Sequence, residues 1–152
     1  MKPPRSLKAL VFDAYGTLFD VHSVIALCEQ FWPGKGAALS QLWRAKQLEY
    51  TWQRSLMRRY QDFGRVTEAG LSYACAAHDL RLDEDRRRRL VDAYLGLATF
   101  PEVGNALAEL KAMKLRLAIL SNGSPAMLRP VVENAGLRSL IGTVISVDRR
   151  KI

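Results

Sequence analysis

The chain of 152 residues predicts an α/β fold whose parallel sheet is interrupted early by a block of helices. Three observations carry this. An apolar run at residues 7–12 (LKALVF) opens the chain and stops at Asp13. From Val21 to about Ala98 apolar side chains recur at helical spacing, with few strand-like runs. After Phe100-Pro101 helix and strand patterns alternate, which makes successive strands parallel, each reached by a crossover helix.

Taken in order, residues 7–12 read as a short buried strand, rich in apolar residues and bounded by Asp and Gly. Val24, Ile25, Leu27, Cys28 and Phe31 fall on one helical face, and Pro33-Gly34 ends that helix. A long helix comes next over about 37–60, with Leu39, Leu42, Trp43 and Tyr50 turned inward. A third covers 67–78. A fourth is N-capped by Asp83 and carries Leu90, Val91, Tyr94 and Leu95 on its apolar side. Beyond the Phe100-Pro101 boundary come a helix at 102–113, a strand at 115–120, the loop SNGSP, a helix ending at Gly136 and a strand at 143–147. Pro130 lies inside that last helix, where a proline costs about 3 kcal/mol, so a kink or an early end is expected there. Residues 1–20 and 99–152 thus belong to one α/β core domain, and 21–98 to a helical subdomain inserted into it.

With 49% hydrophobic residues the chain can bury a sizeable core. It has no apolar stretch of 18 residues and opens on MKPPR, which argues against a membrane helix and a secretory signal. Cys28 and Cys75 sit in apolar helical patterns and read as buried free thiols, in keeping with the cytoplasm. The net charge of +8 raises nucleic-acid binding. The run Arg86 to Arg89, however, comes after Asp83-Glu84-Asp85, an order that suits the helix dipole and i,i+4 pairing. No zinc spacing, basic heptad region or RNA-recognition signature accompanies it, so the charge reads as solvated helix faces, with neither nucleic acid nor membrane as partner. His22 and His78 have no acids at catalytic or metal spacing, and Trp43 and Trp52 read as packing.

Chemistry is expected at the carboxyl ends of the strands, where open parallel sheets bind their ligands. Asp13 ends the first strand and Ser121-Asn122 the second. Asp13 has two readings: a turn carboxylate bonding nearby backbone N–H groups, or a reactive group facing the crevice. Gly16 permits a tight turn, and Thr17 is placed either to bond Asp13 or to cap the next segment. Ser121 carries the same ambiguity. Ser124 before Pro125 has the form of an N-cap with proline at N1.

DAYGT at 13–17 and the SNGS loop about a hundred residues later resemble the haloacid dehalogenase superfamily, a Rossmann-like core with an inserted cap. The resemblance makes Asp13 the nucleophile and Ser121 the strand-end hydroxyl. Phosphatases of that superfamily carry a second Asp two residues after the nucleophile, as general acid and magnesium contact. Here the position is Tyr15, a poor acid at neutral pH with an unperturbed pKa near ~10. A halide leaves without a proton. DAYGTL, LWRAKQLEYTW (42–52), RYQDF (59–63) and LSNGSP (120–125) are similar to (S)-2-haloacid dehalogenases in particular.

That resemblance implies displacement of halide by Asp13 at C2 of a 2-haloalkanoate, an aspartyl ester, and its hydrolysis to the inverted 2-hydroxy acid. Arg44 would face the halide with help from Asn122, and Ser121 would hold the substrate carboxylate. Thr17 would orient Asp13, while Tyr15, Leu48 and Phe63 would line an apolar pocket. The implied partners are the haloacid and water, with no cofactor and no metal; pairing of two chains through the cap helices is left open. Apart from the resemblance, Arg44 reads as a surface helix residue, and Leu48 and Phe63 as core. The family lysine, in a segment like VFKPSP, would align just past Ile152. Lys151 stands three places too early to take its role, so the core is expected to be incomplete, with an apolar sheet edge exposed. A superfamily phosphatase and a non-catalytic fragment are the alternative functions.

Overall fold

The structure is a computed structural model that describes residues 7–150; Lys151, Ile152 and the first six residues of the expected core lie outside the described residues. Among the described residues three parallel strands stand in the order β1-β2-β3: β1 (Ala9–Phe12), β2 (Arg116–Ser121) and β3 (Thr143–Ser146). Between β1 and β2 lie a 3-10 turn (Val21–Val24) and five helices: α1 (Ile25–Phe31), α2 (Gly36–Leu56), α3 (Phe63–Ala77), α4 (Glu84–Ala93) and α5 (Val103–Ala112). Helix α6 (Pro125–Asn134) joins β2 to β3. This is the α/β parallel architecture that the alternation of patterns predicts.

The element ends differ from expectation for local reasons. Helix α2 stops at Leu56, four residues early, because Arg58 takes the left-handed conformation (φ 56°). The N–H of Arg59 then donates to the carbonyl of Arg54 at 2.9 Å, which closes the helix end. Helix α3 starts four residues early, because the Asp62 carboxylate caps it by accepting from the Arg65 N–H at 3.1 Å. Pro130 does not end α6, which continues to Asn134. Its missing N–H removes one hydrogen bond, while Met127, Leu128, Val131 and Val132 bury the helix's inner face. Ser124 stands at the N-cap with Pro125 after it, but its side chain makes no capping bond.

The helical block enters and leaves through one narrow stem. Phe19 bridges Thr99 in antiparallel sense, the Asp20 N–H donates to the Ala98 carbonyl at 2.8 Å, and the Phe100 N–H donates to the Leu18 carbonyl. Within the block α2 and α3 approach closely at Gly70, where a Cβ would come within 3.1 Å of the Gln47 nitrogen and 3.2 Å of the Trp43 carbonyl. Trp43, Tyr94, Leu39, Leu71 and Leu90 fill its interior. The arginines after Asp83 pair at the surface as their order predicts: Arg86 with Asp83, Arg87 with Glu84 and Glu68, Arg88 and Arg89 with Asp85.

Among the described residues the sheet has one covered face and one bare face. Both crossovers advance in the same direction across the sheet, so right-handed connections place α5 and α6 on the same side. Leu117, Ile119, Ser121 and Ser146 are buried on that side. On the other side Val11 is 58% exposed, Leu120 47% and Ile145 46%.

Candidate active site

The carboxyl ends of the three strands bring Asp13, Ser121 and Ser146 to one end of the sheet, with Ser121 and Ser146 in register. After β1 the backbone folds tightly: the Ala14 carbonyl accepts from the N–H groups of Leu18 at 2.9 Å and Phe19 at 3.0 Å. Gly16 makes this possible at φ 97°, and a Cβ there would stand 3.3 Å from Nη2 of Arg44. The turn presents Asp13 outward; its side chain is exposed and makes no hydrogen bond among the described residues. Thr17 is also exposed, and its hydroxyl makes no hydrogen bond to Asp13. The sequence places the pair together; the geometry makes them neighbours on one turn and no more.

Arg44 reaches this turn from α2. Its Nη2 donates to the Tyr15 carbonyl at 2.7 Å and its Nη1 to Oε1 of Gln47 at 2.6 Å. Burial lowers its pKa, while Tyr94 and Asp13 act the other way. A guanidinium stays charged through such a shift, so a fixed cation sits beside the Asp13 turn.

Tyr15 is buried rather than presented to solvent, with its hydroxyl unpartnered. Burial pushes its phenol well above the ordinary range, and the charges of Tyr94 and Asp13 add to this. Its ring stands 5.1 Å from that of Phe63 and lies over Gly123, where a Cβ would come within 2.7 Å of Cε2. Phe63 is buried at the start of α3, and Leu48 is half-buried on α2. Ser121 is buried and accepts from the Gly123 N–H at 3.2 Å. Asn122 is exposed and shares with Phe63, Tyr60, Thr51, Arg54 and Val147 a small open crevice. Asp13 does not line that crevice. The Tyr60 hydroxyl donates to Asp148, tying the loop after α2 to the end of β3. Among the described residues no three His, Cys, Asp or Glu side chains converge, so no metal set can be named.

Gln47, Thr67 and Ser146 escape the sequence reading. Gln47 is fully buried between Arg44 and Thr67, and its Nε2 donates to the Thr67 hydroxyl at 2.6 Å. Ser146 donates to the Gly123 carbonyl at 2.6 Å and accepts from the Asp148 N–H, so it props the SNGS loop. The sequence does hold a signal for Gln47: it extends the Leu39–Trp43 stripe by one turn, a polar residue in a buried row.

A family model for haloacid dehalogenase-like hydrolases matches residues 7–152. The chain belongs to the haloacid dehalogenase-like hydrolases. The chain is 54% identical over 142 residues to an (S)-2-haloacid dehalogenase of Pseudomonas sp. (strain YL), covering 93% of itself and 61% of that relative. It is 48% identical over 144 residues to haloacetate dehalogenase H-2 of Moraxella sp. (strain B), covering 95% of itself and 64% of that protein. The solved structure of L-2-haloacid dehalogenase from Xanthobacter autotrophicus with chloropropionic acid covalently bound superposes with a TM-score of 0.90 at 47% identity. That match covers 96% of this chain and 59% of the dehalogenase. The chain therefore spans about three fifths of the length of these relatives.

Proposed function

We propose that this chain carries the nucleophile and halide side of an (S)-2-haloacid dehalogenase. One oxygen of Asp13 attacks C2 of the 2-haloalkanoate; the new C–O bond forms as the carbon–halogen bond breaks, and the halide leaves with the electron pair. Water then cleaves the aspartyl ester, returning Asp13 and yielding the inverted (R)-2-hydroxy acid and a proton. The observation that carries this reading is the Arg44 cation held against the carbonyl of Tyr15, beside the nucleophile's turn. A departing halide needs a fixed positive charge and no proton donor, and Tyr15 supplies none. In this reading Asn122 assists with the halide, Ser121 and nearby N–H groups take the substrate carboxylate, and Thr17 steers Asp13. Leu48, Phe63 and Tyr15 supply the apolar wall. Chloropropionic acid held covalently in a relative 47% identical supports the ester step.

Residues 21–98 then act as a cap over a core formed by 7–20 and 99–150. Leu56, 85% exposed, and Trp52, 62% exposed, support pairing of two chains through the end of α2. The two buried free thiols support a reducing, cytoplasmic setting.

The test is incubation with (S)-2-chloropropionate, with chloride release and intact mass followed together. The expected result is chloride release with the mass gain of one 1-carboxyethyl ester, absent with the (R) enantiomer and absent in Asp13→Asn. Release that survives in Asp13→Asn, after deamidation to Asp has been excluded by peptide mass, would remove the nucleophile assignment. Magnesium-dependent hydrolysis of phosphate esters would favour the phosphatase reading instead.

A further inference from the structure

We infer that Gln47 is a positioning residue: its amide, anchored by Thr67, fixes the Arg44 guanidinium against the turn that carries Asp13. The catalytic consequence rests on the dehalogenase reading above; the geometry does not.

The direction of each hydrogen bond can be traced. The Thr67 hydroxyl has one proton and donates it to the Phe63 carbonyl at 2.6 Å. Toward Gln47 it can therefore only accept, which turns the Gln47 NH₂ to Thr67 and leaves Oε1 facing Arg44. An arginine cannot accept, so the opposite amide orientation would set donor against donor at Nη1. The amide is thus held in a single orientation, and Arg44 is gripped at both ends of its fork, by Oε1 of Gln47 and by the Tyr15 carbonyl.

The backbone explains why these short side chains reach each other. Gly70 lets α3 come against α2 at Gln47, and the Trp43 indole N–H donates to the Thr67 carbonyl at 2.7 Å. The contacts form a closed circuit. Tyr15 is held by Arg44, Arg44 by Gln47, Gln47 by Thr67 and Thr67 by Phe63, whose ring returns to that of Tyr15. Two of its members, Tyr15 and Phe63, also form the apolar wall. A shift of Gln47 would therefore loosen the cation and the wall together. Gln47 touches no reacting atom; it acts through Arg44.

The test uses Gln47→Met, which keeps the volume and removes both hydrogen bonds, and Thr67→Val, which leaves Gln47 its bond to Arg44 but takes away the anchor. The primary measurement is the ¹H–¹⁵N signal set of the Arg44 guanidinium, assigned by its loss in Arg44→Lys, and it needs no turnover. In the parent chain the two Nη groups should give separate signals. In Gln47→Met they should merge through fast rotation, and in Thr67→Val they should broaden. On (S)-2-chloropropionate the single-turnover rate should fall roughly 10-fold in Gln47→Met with half-saturation little changed, as expected when a charge is mispositioned rather than lost. Separate, unchanged Nη signals in a folded Gln47→Met would overturn the inference. Should Gln47→Met not fold, unchanged signals in Thr67→Val would overturn it equally. A parent chain that releases no chloride yet shows the expected change in Arg44 signals would sink the dehalogenase reading and leave Gln47's hold on Arg44 standing.

Discussion

Tyr15 is packed more deeply than its place after the first strand announces. In the sequence it stands where a phosphatase would carry a second acid, and the resemblance puts it in the lining of a pocket. In the folded chain it is 3% exposed, wedged between Phe63, Gly123 and Tyr94, with a hydroxyl that finds no partner. A buried hydroxyl without a hydrogen bond costs free energy that its removal returns. Tyr15→Phe should therefore be neutral or stabilising, by up to about 1 kcal/mol, in urea denaturation. A loss of more than that would mean the hydroxyl is satisfied in solution. Gln47 illustrates the opposite case. Its spacing is visible, but its partner Thr67 lies on another helix, and no local pattern announces a hydrogen bond across a helix pair. Asp13 and Ser121 are legible because strand ends are marked by an abrupt change from apolar to polar, and the structure puts them at the same end of the sheet.

At the scale of elements, the helices are legible in kind and blurred at their ends. The interior stripe of α2 comes from periodicity, whereas its stop at Leu56 depends on a left-handed arginine that propensity does not favour. Proline's cost in α6 is predictable, but the burial that outweighs it comes from packing against the sheet and cannot be read locally. The seam that joins α1 to α3 carries a titratable signature. Burial pushes the Cys28 thiol from near 9 up to about 12, with Cys75 and Glu29 adding to it. Burial likewise pushes the Cys75 thiol up to about 11, against the pull of Arg87. Unfolded, both ionise near ~8.5. From there to the folded values the unfolded chain gives up protons that the folded chain keeps, so stability complete below that range is lost as pH rises. The urea midpoint should fall between about pH 8 and about pH 10.5. The double variant Cys28→Ala/Cys75→Ala should show a smaller fall over the same interval; an equal fall would assign the effect to other groups.

For the whole molecule, the distribution of apolar surface decides behaviour in solution. Val11, Leu120 and Ile145 lie together on the side of the sheet that neither α5 nor α6 covers, and Leu56 and Trp52 project from the far end of α2. Either patch could drive association. Sedimentation should show the chain self-associating, with Ile145→Lys reducing large, ill-defined species and Leu56→Glu reducing a discrete dimer. A monodisperse monomer in the parent chain would show that neither patch is sticky enough to matter. Which face of the sheet is bare cannot be read locally from the sequence, because that depends on the direction in which both crossovers run.

The stem at Phe19 and Thr99 has a bearing on how the chain finds its fold. Strands β1 and β2 pair residues about a hundred positions apart, a separation whose closure entropy must be met before any strand contact rewards it. With Asp20 bonded to Ala98 and Phe100 to Leu18, that span is pinched off at its base. What remains for the strands to close is a tight turn on one side and a single helix on the other. We expect the search to divide in two, the helices collapsing among near neighbours first and the sheet zipping afterwards from the tied junction.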